Sequence, residues 1–423
     1  MSVFTLRAAE RERALVPRLA ELTERHRHAC PPYGRILAAI GSHGPYERVA
    51  DLPWLPVRMF KTHELRSVPK EQVFRVLTSS GTTGQRPSRV HLDREAAAAQ
   101  PRMLAATLRE VLGERRLPML IVDTRSVVRA TTLSARGAGV LGMMNLGRDH
   151  TFVLDDGGDV DAAAVKAFLA RHDGRPFLIF GFTYMVWLHL RELGLDLSRG
   201  VLIHSGGWKK LADQAVDAAE FRARLERECG LTRMHDFYGM VEQIGTVFLE
   251  GPEGDGLYCP DFADVVIRDP ETWEEAPPGV PGLIEVVSTL PTSYPGHVLL
   301  TEDLGVVHGV DDGTWPGKRF SVLGRLPRAE ARGCSDTMGG SVGGAVGGSV
   351  MPQVSPQASP HVSLRASLRG SPQAYGHGAA VDGPAPPTSP KACERADAGD
   401  GPMPSASPTA CELGDAEDGT VAA

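Results

Sequence analysis

Apolar residues recur at helical spacing near the start of the chain. Leu15, Leu19 and Leu22 stand three and four residues apart with charged residues between them, which is typical of an amphipathic helix. The pattern extends over residues 5–40 and predicts a helical N-terminal segment of about residues 1–45. Pro17 lies inside this segment, and we expect a break or bend there because proline lacks the backbone N–H that a helix interior needs.

Three short apolar runs further along are typical of buried parallel strands. They cover residues 119–122, 177–180 and 201–203, and helical patterns such as 160–171 and 183–193 lie between them. Strands that alternate with helices predict an α/β fold with mixed, mainly parallel sheets flanked by helices. Short apolar segments with Pro and Gly turns over residues 257–322 predict a smaller, more antiparallel β subdomain.

The hydrophobic pattern disappears after residue 337. Residues 338–423 contain no Ile, Phe or Trp, Tyr375 is their only aromatic residue, and Gly-Gly-x-Val occurs three times over residues 339–350. Such a composition cannot bury enough apolar surface to offset the entropy of an ordered chain. The sequence therefore predicts a folded domain of residues 1–337 and a low-complexity, disordered tail of residues 338–423.

An apolar run that ends at Leu77 is followed by a loop rich in hydroxyl groups and glycine. The loop residues are Ser79, Ser80, Gly81, Thr82, Thr83 and Gly84. Backbone N–H groups and hydroxyls in such a loop can bind phosphate groups, and glycine lets the backbone approach them closely. No Gly-Lys-Ser/Thr sequence follows, so the loop is not a Walker P-loop. A plain surface loop is the alternative interpretation.

Two later motifs favour phosphate binding. Asp-Phe-Tyr-Gly-Met-Val-Glu covers residues 236–242, and Leu-Thr-Glu-Asp covers residues 300–303, with a Gly-Arg pair further on. Tyr238 offers a flat apolar face to a purine. Glu242 supplies a hard oxygen ligand for Mg²⁺, and the Asp303 carboxylate can accept hydrogen bonds from two hydroxyls.

The order and spacing of these three motifs resemble the adenylate-forming superfamily of acyl-CoA ligases, luciferases and peptide-synthetase adenylation domains. The resemblance implies ATP and Mg²⁺ as cofactors, with Glu242 as the Mg²⁺ ligand and Asp303 on the ribose hydroxyls. It also implies that Asp236 contacts the adenine amino group and that Arg325 reaches ribose or phosphate. The implied nucleotide-binding residues are Ser79, Ser80, Gly81, Thr82, Thr83, Gly84, Gly206, Gly207, Asp236, Tyr238, Gly239, Asp303 and Arg325.

Four further runs resemble the LuxE-type acyl-protein synthetases. They cover residues 57–61, 180–184, 293–296 and 332–336, and the resemblance extends over roughly residues 40–337. That family forms an acyl-adenylate, moves the acyl group onto a cysteine near its own C-terminus and passes it to a partner reductase. The resemblance implies that residues 1–337 form an acyl-adenylating domain without a full C-terminal lid, and that Cys334 is catalytic as the acyl acceptor. Neighbouring arginines would favour its thiolate form, which is the natural nucleophile for an acyl-adenylate.

The resemblance also places Phe182, Tyr184 and Trp187 at the acyl pocket, although aromatic residues at helical spacing more often belong to a protein core. The expected partners are a carboxylic or fatty acid substrate and an acyl-accepting reductase or carrier protein. Two other functions stay open. One is a phenylacetate- or acyl-CoA-type ligase, and the other is a degenerate adenylate-binding scaffold without enzymatic activity.

Composition excludes several other classes of protein. A formal net charge of −7 argues against general nucleic-acid binding, which needs a basic surface. The early charges of the N-terminus do not fit a signal peptide, and no apolar run is long enough to span a membrane, so a cytoplasmic location is expected. The six cysteines form no Cys-x-x-Cys pair, and reduced thiols are the simplest interpretation.

The composition of the tail makes a prediction about stability. A chain that ends at Thr337 should melt at the same temperature as the full chain, because residues 338–423 have too little apolar surface to pack against the domain. Differential scanning calorimetry of both chains measures this. A clearly lower melting temperature for the shortened chain would show that the tail contributes to the folded core.

Overall fold

A computed structural model of the chain describes residues 2–79, 86–129, 135–208 and 215–326. Within these residues the helices are α1 (Ala8–Ala29), α2 (Pro31–Ala39), α3 (Met59–Thr62), α4 (Arg94–Leu112), α5 (Ser126–Arg129), α6 (Ala135–Met144), α7 (Ala162–Arg171), α8 (Thr183–His189) and α9 (Ala218–Cys229). The strands are β1 (Leu55–Pro56), β2 (Arg75–Thr78), β3 (Arg89–Leu92), β4 (Leu117–Thr124), β5 (Gly147–Leu154), β6 (Phe177–Phe182), β7 (Gly200–Ser205), β8 (Arg233–Tyr238), β9 (Phe248–Glu250), β10 (Leu257–Tyr258), β11 (Ala263–Arg268), β12 (Gly282–Ser288), β13 (Val298–Val310) and β14 (Lys318–Arg325). The predicted α/β fold class is confirmed.

One large mixed sheet organises the molecule. Its strand order is β11-β12-β13-β14-β10-β9-β8-β7-β6-β4-β5, with β1 beside β13. Strands β5, β4, β6, β7 and β8 are parallel, whereas the pairs from β8 across to β11 are antiparallel. The three predicted parallel strands lie in β4, β6 and β7. The predicted antiparallel part over residues 257–322 corresponds to β10 to β14 and continues the same hydrogen-bonded sheet.

Two large apolar cores pack along the sheet and meet at β8. One core packs around the parallel strands and the other around the antiparallel strands. Phe237 packs against the first core and Tyr238 against the second, because successive side chains of a strand point to opposite faces. The last two residues of β8 therefore lie at the junction of the two halves.

Helix α1 continues through Pro17, so the expected break is absent. Leu15 and Leu19, on either side of the proline, are buried against a small apolar cluster that includes Val266 and Val287. Burying two leucine side chains contributes several kcal/mol, roughly 1.5–3 each, which offsets the hydrogen bond that proline cannot make. None of the described helices is long and apolar enough to cross a membrane.

His26 connects α1 to the loop between β12 and β13. Its Nδ1 lies 2.7 Å from the Ser67 hydroxyl and its Nε2 lies 3.0 Å from the Pro291 carbonyl oxygen. Because a carbonyl only accepts, Nε2 carries the proton and Nδ1 accepts from Ser67. Complete burial lowers the pKa of His26 to about 4, against a smaller opposing effect of the Pro291 carbonyl.

This buried histidine should make the protein acid-sensitive. An unfolded-chain imidazole has a pKa of about 6.5, so between pH 6.5 and about 4 the unfolded state binds the proton that the folded state excludes. The free energy of unfolding must then fall as the pH falls through this window. At pH 5 the burial of His26 should lower the free energy of unfolding by on the order of 2 kcal/mol.

Urea denaturation of the wild type and His26→Gln at pH 7 and pH 5 measures this contribution. The variant should lose less stability on acidification than the wild type. His28→Gln, on the exposed side of the same helix, is the matched control and should follow the wild type. Equal losses in all three proteins would mean that His26 does not carry the acid sensitivity.

Candidate active site

Five of the predicted nucleotide-binding residues lie at the carboxyl ends of two adjacent parallel strands. Gly206 and Gly207 follow β7, while Asp236, Tyr238 and Gly239 end or follow β8. The Ser205 hydroxyl at the end of β7 donates to the carbonyl of Phe237 on β8 at 2.7 Å, which fixes the two strand ends together. In open α/β sheets this edge is where ligands bind.

Tyr238, Asp303 and Arg325 form one hydrogen-bonded cluster. The Tyr238 hydroxyl donates to Asp303 Oδ2 at 2.8 Å, and Arg325 Nε donates to Asp303 Oδ1 at 2.9 Å. Asp303 and Arg325 face each other in the register of β13 and β14. Tyr238 comes from β8, which is separated from β13 by three strands. Four strand spacings amount to roughly 19 Å along a flat sheet, so the sheet must curl to close this contact.

The Asp303 carboxylate lies in a largely desolvated environment. Its side chain is only 13% exposed, and its backbone N–H donates to the Thr301 hydroxyl at 3.1 Å. Burial, and then the negative charge of Asp303, raise the pKa of Tyr238 well above its ordinary value. Tyr238 therefore remains a neutral hydroxyl donor at physiological pH.

Glu242 lies in a buried 3-10 turn, Val241–Gln243, that follows β8. The neighbouring Gln243 side chain donates to the carbonyls of Val286 and Gly296 at 3.1 and 3.0 Å. A Cβ on Gly296 would lie 2.7 Å from the Glu242 carbonyl oxygen, so only glycine permits this approach. The run 293–296, predicted from family resemblance alone, thus packs directly against the turn that carries Glu242.

Glu242 fits a role as one ligand of a magnesium ion. Within the described ranges, no group of three or more His, Cys, Asp or Glu residues could hold a metal. Mg²⁺ usually keeps several waters and is bound through one or two carboxylates plus substrate phosphates. A single buried carboxylate in a turn that contacts strand β3 agrees with that chemistry.

The predicted phosphate-binding loop begins at the tip of the β2–β3 hairpin. The Ser79 N–H donates to the Ser88 carbonyl at 3.1 Å, and the Ser88 N–H donates to the Ser79 hydroxyl at 2.9 Å. These bonds fix both ends of the loop, and the Ser293 hydroxyl joins the hairpin to the run 293–296 by donating to the His91 carbonyl at 2.9 Å. The remaining predicted loop residues, Ser80, Gly81, Thr82, Thr83 and Gly84, lie outside the described residues, as does Cys334.

The three predicted acyl-pocket residues have different surroundings. Phe182 is at the end of β6, where its ring lies within 3.6 Å of the position that a Cβ on Gly206 would take. Trp187 is 5% exposed and packs against Trp208 and Phe221, with ring centroids 5.2 and 6.0 Å away. Tyr184 is partly buried against the core of the parallel half. Phe182 thus adjoins Gly206, one of the predicted nucleotide-binding residues, whereas Trp187 packs inside an aromatic cluster, and a pocket role for all three stays a prediction.

Two ion-paired residues that the sequence did not indicate support Asp236. Glu250 Oε2 accepts from the backbone N–H of Asp236 at 2.8 Å and pairs with Arg222 Nη2 at 2.5 Å. Arg222 also donates to the Met234 carbonyl at 2.9 Å, so the pair holds β8 at two points. No local motif marks either residue, because their pairing depends on the tertiary position of α9 and β9.

His204 is a third residue that the sequence did not indicate. It is opposite Asp236 in the register of β7 and β8, with Nδ1 3.0 Å from the Thr183 hydroxyl and 3.7 Å from Asp236 Oδ1. Burial, with smaller contributions from Arg222 and His235, lowers the pKa of His204 to about 3. The imidazole beneath the site is therefore neutral.

Comparisons with known proteins show the family of the chain. The family described as "Acyl-protein synthetase, LuxE" matches residues 39–342. The long-chain-fatty-acid–luciferin-component ligase of Vibrio harveyi is 25% identical over 334 residues, covering 74% of this chain and 84% of the relative. The protein of the same name from Aliivibrio fischeri is 23% identical over 303 residues, covering 69% and 78%.

Solved structures agree on the fold. An open conformation of 2-hydroxyisobutyryl-CoA ligase in complex with 2-HIB-AMP and CoA superposes with a TM-score of 0.58, at 20% identity and with 77% of each chain covered. The same ligase in a postadenylation state with 2-HIB-AMP gives a TM-score of 0.58. Because the family match spans well over half of the sequence, the chain belongs to the acyl-protein synthetase family, LuxE, and the predicted AMP-forming acid–thiol ligase type is confirmed.

Proposed function

We propose that this protein uses ATP to activate a fatty acid as an acyl-adenylate and then transfers the acyl group to Cys334. The observation that carries the proposal is the cluster of Tyr238, Asp303 and Arg325, three residues distant in sequence that meet beside the turn of Glu242. Ring, carboxylate and guanidinium together match adenine, ribose and phosphate. The fatty acid comes from the relatives, both named long-chain-fatty-acid–luciferin-component ligases.

In the first step, a carboxylate oxygen of the acid attacks the α-phosphorus of ATP. A new O–P bond forms, the bond from that phosphorus to the bridging oxygen breaks, and pyrophosphate leaves. Tyr238 holds the adenine and Asp303 holds the ribose, so the α-phosphorus is presented in a fixed position. Glu242 would hold a Mg²⁺ ion, and that ion would offset negative charge on the phosphates.

In the second step, the Cys334 thiolate attacks the acyl carbonyl carbon. The bond between that carbon and the phosphate oxygen breaks, AMP leaves with the bonding electrons, and a thioester remains. The three cysteines within the described residues, Cys30, Cys229 and Cys259, are all buried, and burial raises the pKa of each thiol. They are therefore poor nucleophiles, which favours Cys334. A partner reductase or carrier protein would then accept the acyl group.

The adenylation step should depend on the Glu242 carboxylate. Glu242→Gln keeps the shape of the side chain but removes the charge that holds the metal, so pyrophosphate–ATP exchange with a long-chain fatty acid should fall by on the order of 10–100-fold. Glu253→Gln, at an exposed position of the β9–β10 loop, is the matched control and should keep the wild-type rate.

The exchange assay also separates the alternatives. Wild-type exchange in Glu242→Gln would remove Glu242 from the metal site. AMP release that requires CoA would favour an acyl-CoA ligase. A wild-type protein that exchanges no pyrophosphate with any acid tested would favour an adenylate-binding scaffold.

The transfer step should depend on Cys334. Incubation with ATP, Mg²⁺ and a radiolabelled fatty acid should leave label on the wild-type chain that neutral hydroxylamine removes, because hydroxylamine cleaves thioesters. Cys334→Ser should lose this label and keep pyrophosphate exchange. Cys229→Ser is the control and should retain both. Label that persists in Cys334→Ser but disappears in Cys393→Ser or Cys411→Ser would instead assign acylation to the tail.

A further inference from the structure

Both oxygens of the Asp303 carboxylate are engaged within the protein itself. Tyr238 donates to Oδ2 and Arg325 donates to Oδ1, at 2.8 and 2.9 Å. We propose that the Tyr238 hydroxyl occupies the place of a ribose hydroxyl on Asp303 while the site is free of nucleotide. When a nucleotide binds, its ribose hydroxyl replaces the Tyr238 hydroxyl as the donor to Asp303. The inference rests on the proposed function, since it assigns to Tyr238 a role in how the same site selects ribonucleotides.

The chemistry of the hydrogen bond between Tyr238 and Asp303 favours a replaceable donor over a purely structural bond. A phenol O–H and a ribose O–H are both neutral donors that bind a carboxylate oxygen with similar geometry. Asp303 is 13% exposed at its side chain, and a buried carboxylate oxygen without a donor costs more than the hydrogen bond is worth. The Tyr238 hydroxyl thus compensates Asp303 while no nucleotide is bound.

The Tyr238 hydroxyl, 2.8 Å from Asp303 Oδ2, takes one of the positions from which a ribose hydroxyl would donate to that oxygen. Its backbone is fixed by pairing with Phe248 on β9, and the following residue, Gly239, lies where a Cβ would meet the Thr246 carbonyl oxygen at 3.1 Å. The backbone therefore stays in place, and the hydroxyl, which is rigidly attached to the ring, leaves Asp303 Oδ2 only when the Tyr238 side chain rotates. The net binding free energy from the ribose hydroxyl is therefore only the difference between its own hydrogen bond to Asp303 and the Tyr238 hydrogen bond that it displaces.

Two consequences distinguish this role from simple adenine stacking. The Tyr238 hydroxyl weakens ATP binding, and it reduces discrimination against deoxynucleotides, because it continues to satisfy Asp303 when a ribose hydroxyl is missing. Removing the hydroxyl while keeping the ring should therefore strengthen binding of ATP and leave binding of a deoxynucleotide unchanged.

The experiment compares the full-length wild type with Tyr238→Phe by isothermal titration with ATP, 2′-deoxy-ATP and 3′-deoxy-ATP. ATP should bind Tyr238→Phe about fivefold more tightly, the value of one net hydrogen bond. Binding of the deoxynucleotide that lacks the hydroxyl recognised by Asp303 should change less than about twofold. The nucleotide-free variant should melt at a lower temperature than the wild type, and ATP should raise its melting temperature by a larger amount.

Tyr258→Phe is the matched control, since Tyr258 also donates to a carboxylate, Asp255 Oδ2 at 2.5 Å, outside the site. It should lower the melting temperature without changing ATP affinity. Unchanged or weaker ATP binding by Tyr238→Phe would overturn the inference and leave the proposed function standing. Equal gains for ATP and both deoxynucleotides would also overturn it, because the effect would not involve the ribose. A wild type that does not bind ATP would overturn both proposals.

Discussion

Strand β8 pairs in parallel with β7 on one side and antiparallel with β9 on the other, and the geometry of the site depends on this position. Parallel pairing brings the ends of β7 and β8 together at one edge, which places Gly206 beside the residues that end β8. Antiparallel pairing on the other side begins a series of short strands through which the sheet curls back. Because of this curl, a side chain at the end of β8 can reach a carboxylate on β13.

The segments around this strand are stabilised mainly by contacts with one another, not by hydrogen bonds within each segment. The Val57 N–H donates to the Leu300 carbonyl at 2.9 Å, Arg58 pairs with Glu302, and the rings of Phe60 and Tyr294 meet edge to face at 5.9 Å. Runs that appear unrelated along the chain, 57–61, 293–296 and 300–303, therefore form one packed unit beside Glu242. Such packing fixes short turns that would have little stability alone.

The ionisable residues beneath the site are either paired with an opposite charge or kept neutral. Arg222 and Glu250 pair with each other while they bind the backbone of β8. Burial keeps His204 and His235 neutral by lowering the pKa of each imidazole to about 3 and about 4. The site proposed to receive a highly charged nucleotide is thus supported by a compensated ion pair and neutral imidazoles, which do not add uncompensated charge in a low-dielectric region.

Local sequence determined the elements whose signal is contained in a few neighbouring residues. The buried runs that became β4, β6 and β7, the amphipathic pattern of α1 and the strand before the hydroxyl loop all depend on side-chain periodicity. The motif around Tyr238 and Glu242 was also recognisable, because the adenine and Mg²⁺ contacts proposed for it require particular residue types at fixed spacing.

Only the tertiary structure decided which of these residues meet. No periodicity indicates that Arg222 pairs with Glu250, that His204 lies between Thr183 and Asp236, or that Pro17 is tolerated in α1. Each depends on burial and on partners far away in the sequence, and such contacts follow from how the sheet curls rather than from local propensity. The hydrogen bond between Tyr238 and Asp303 joins residues 65 positions apart. The sequence could therefore suggest both residues for one site, but not that the Tyr238 hydroxyl would donate to the Asp303 carboxylate.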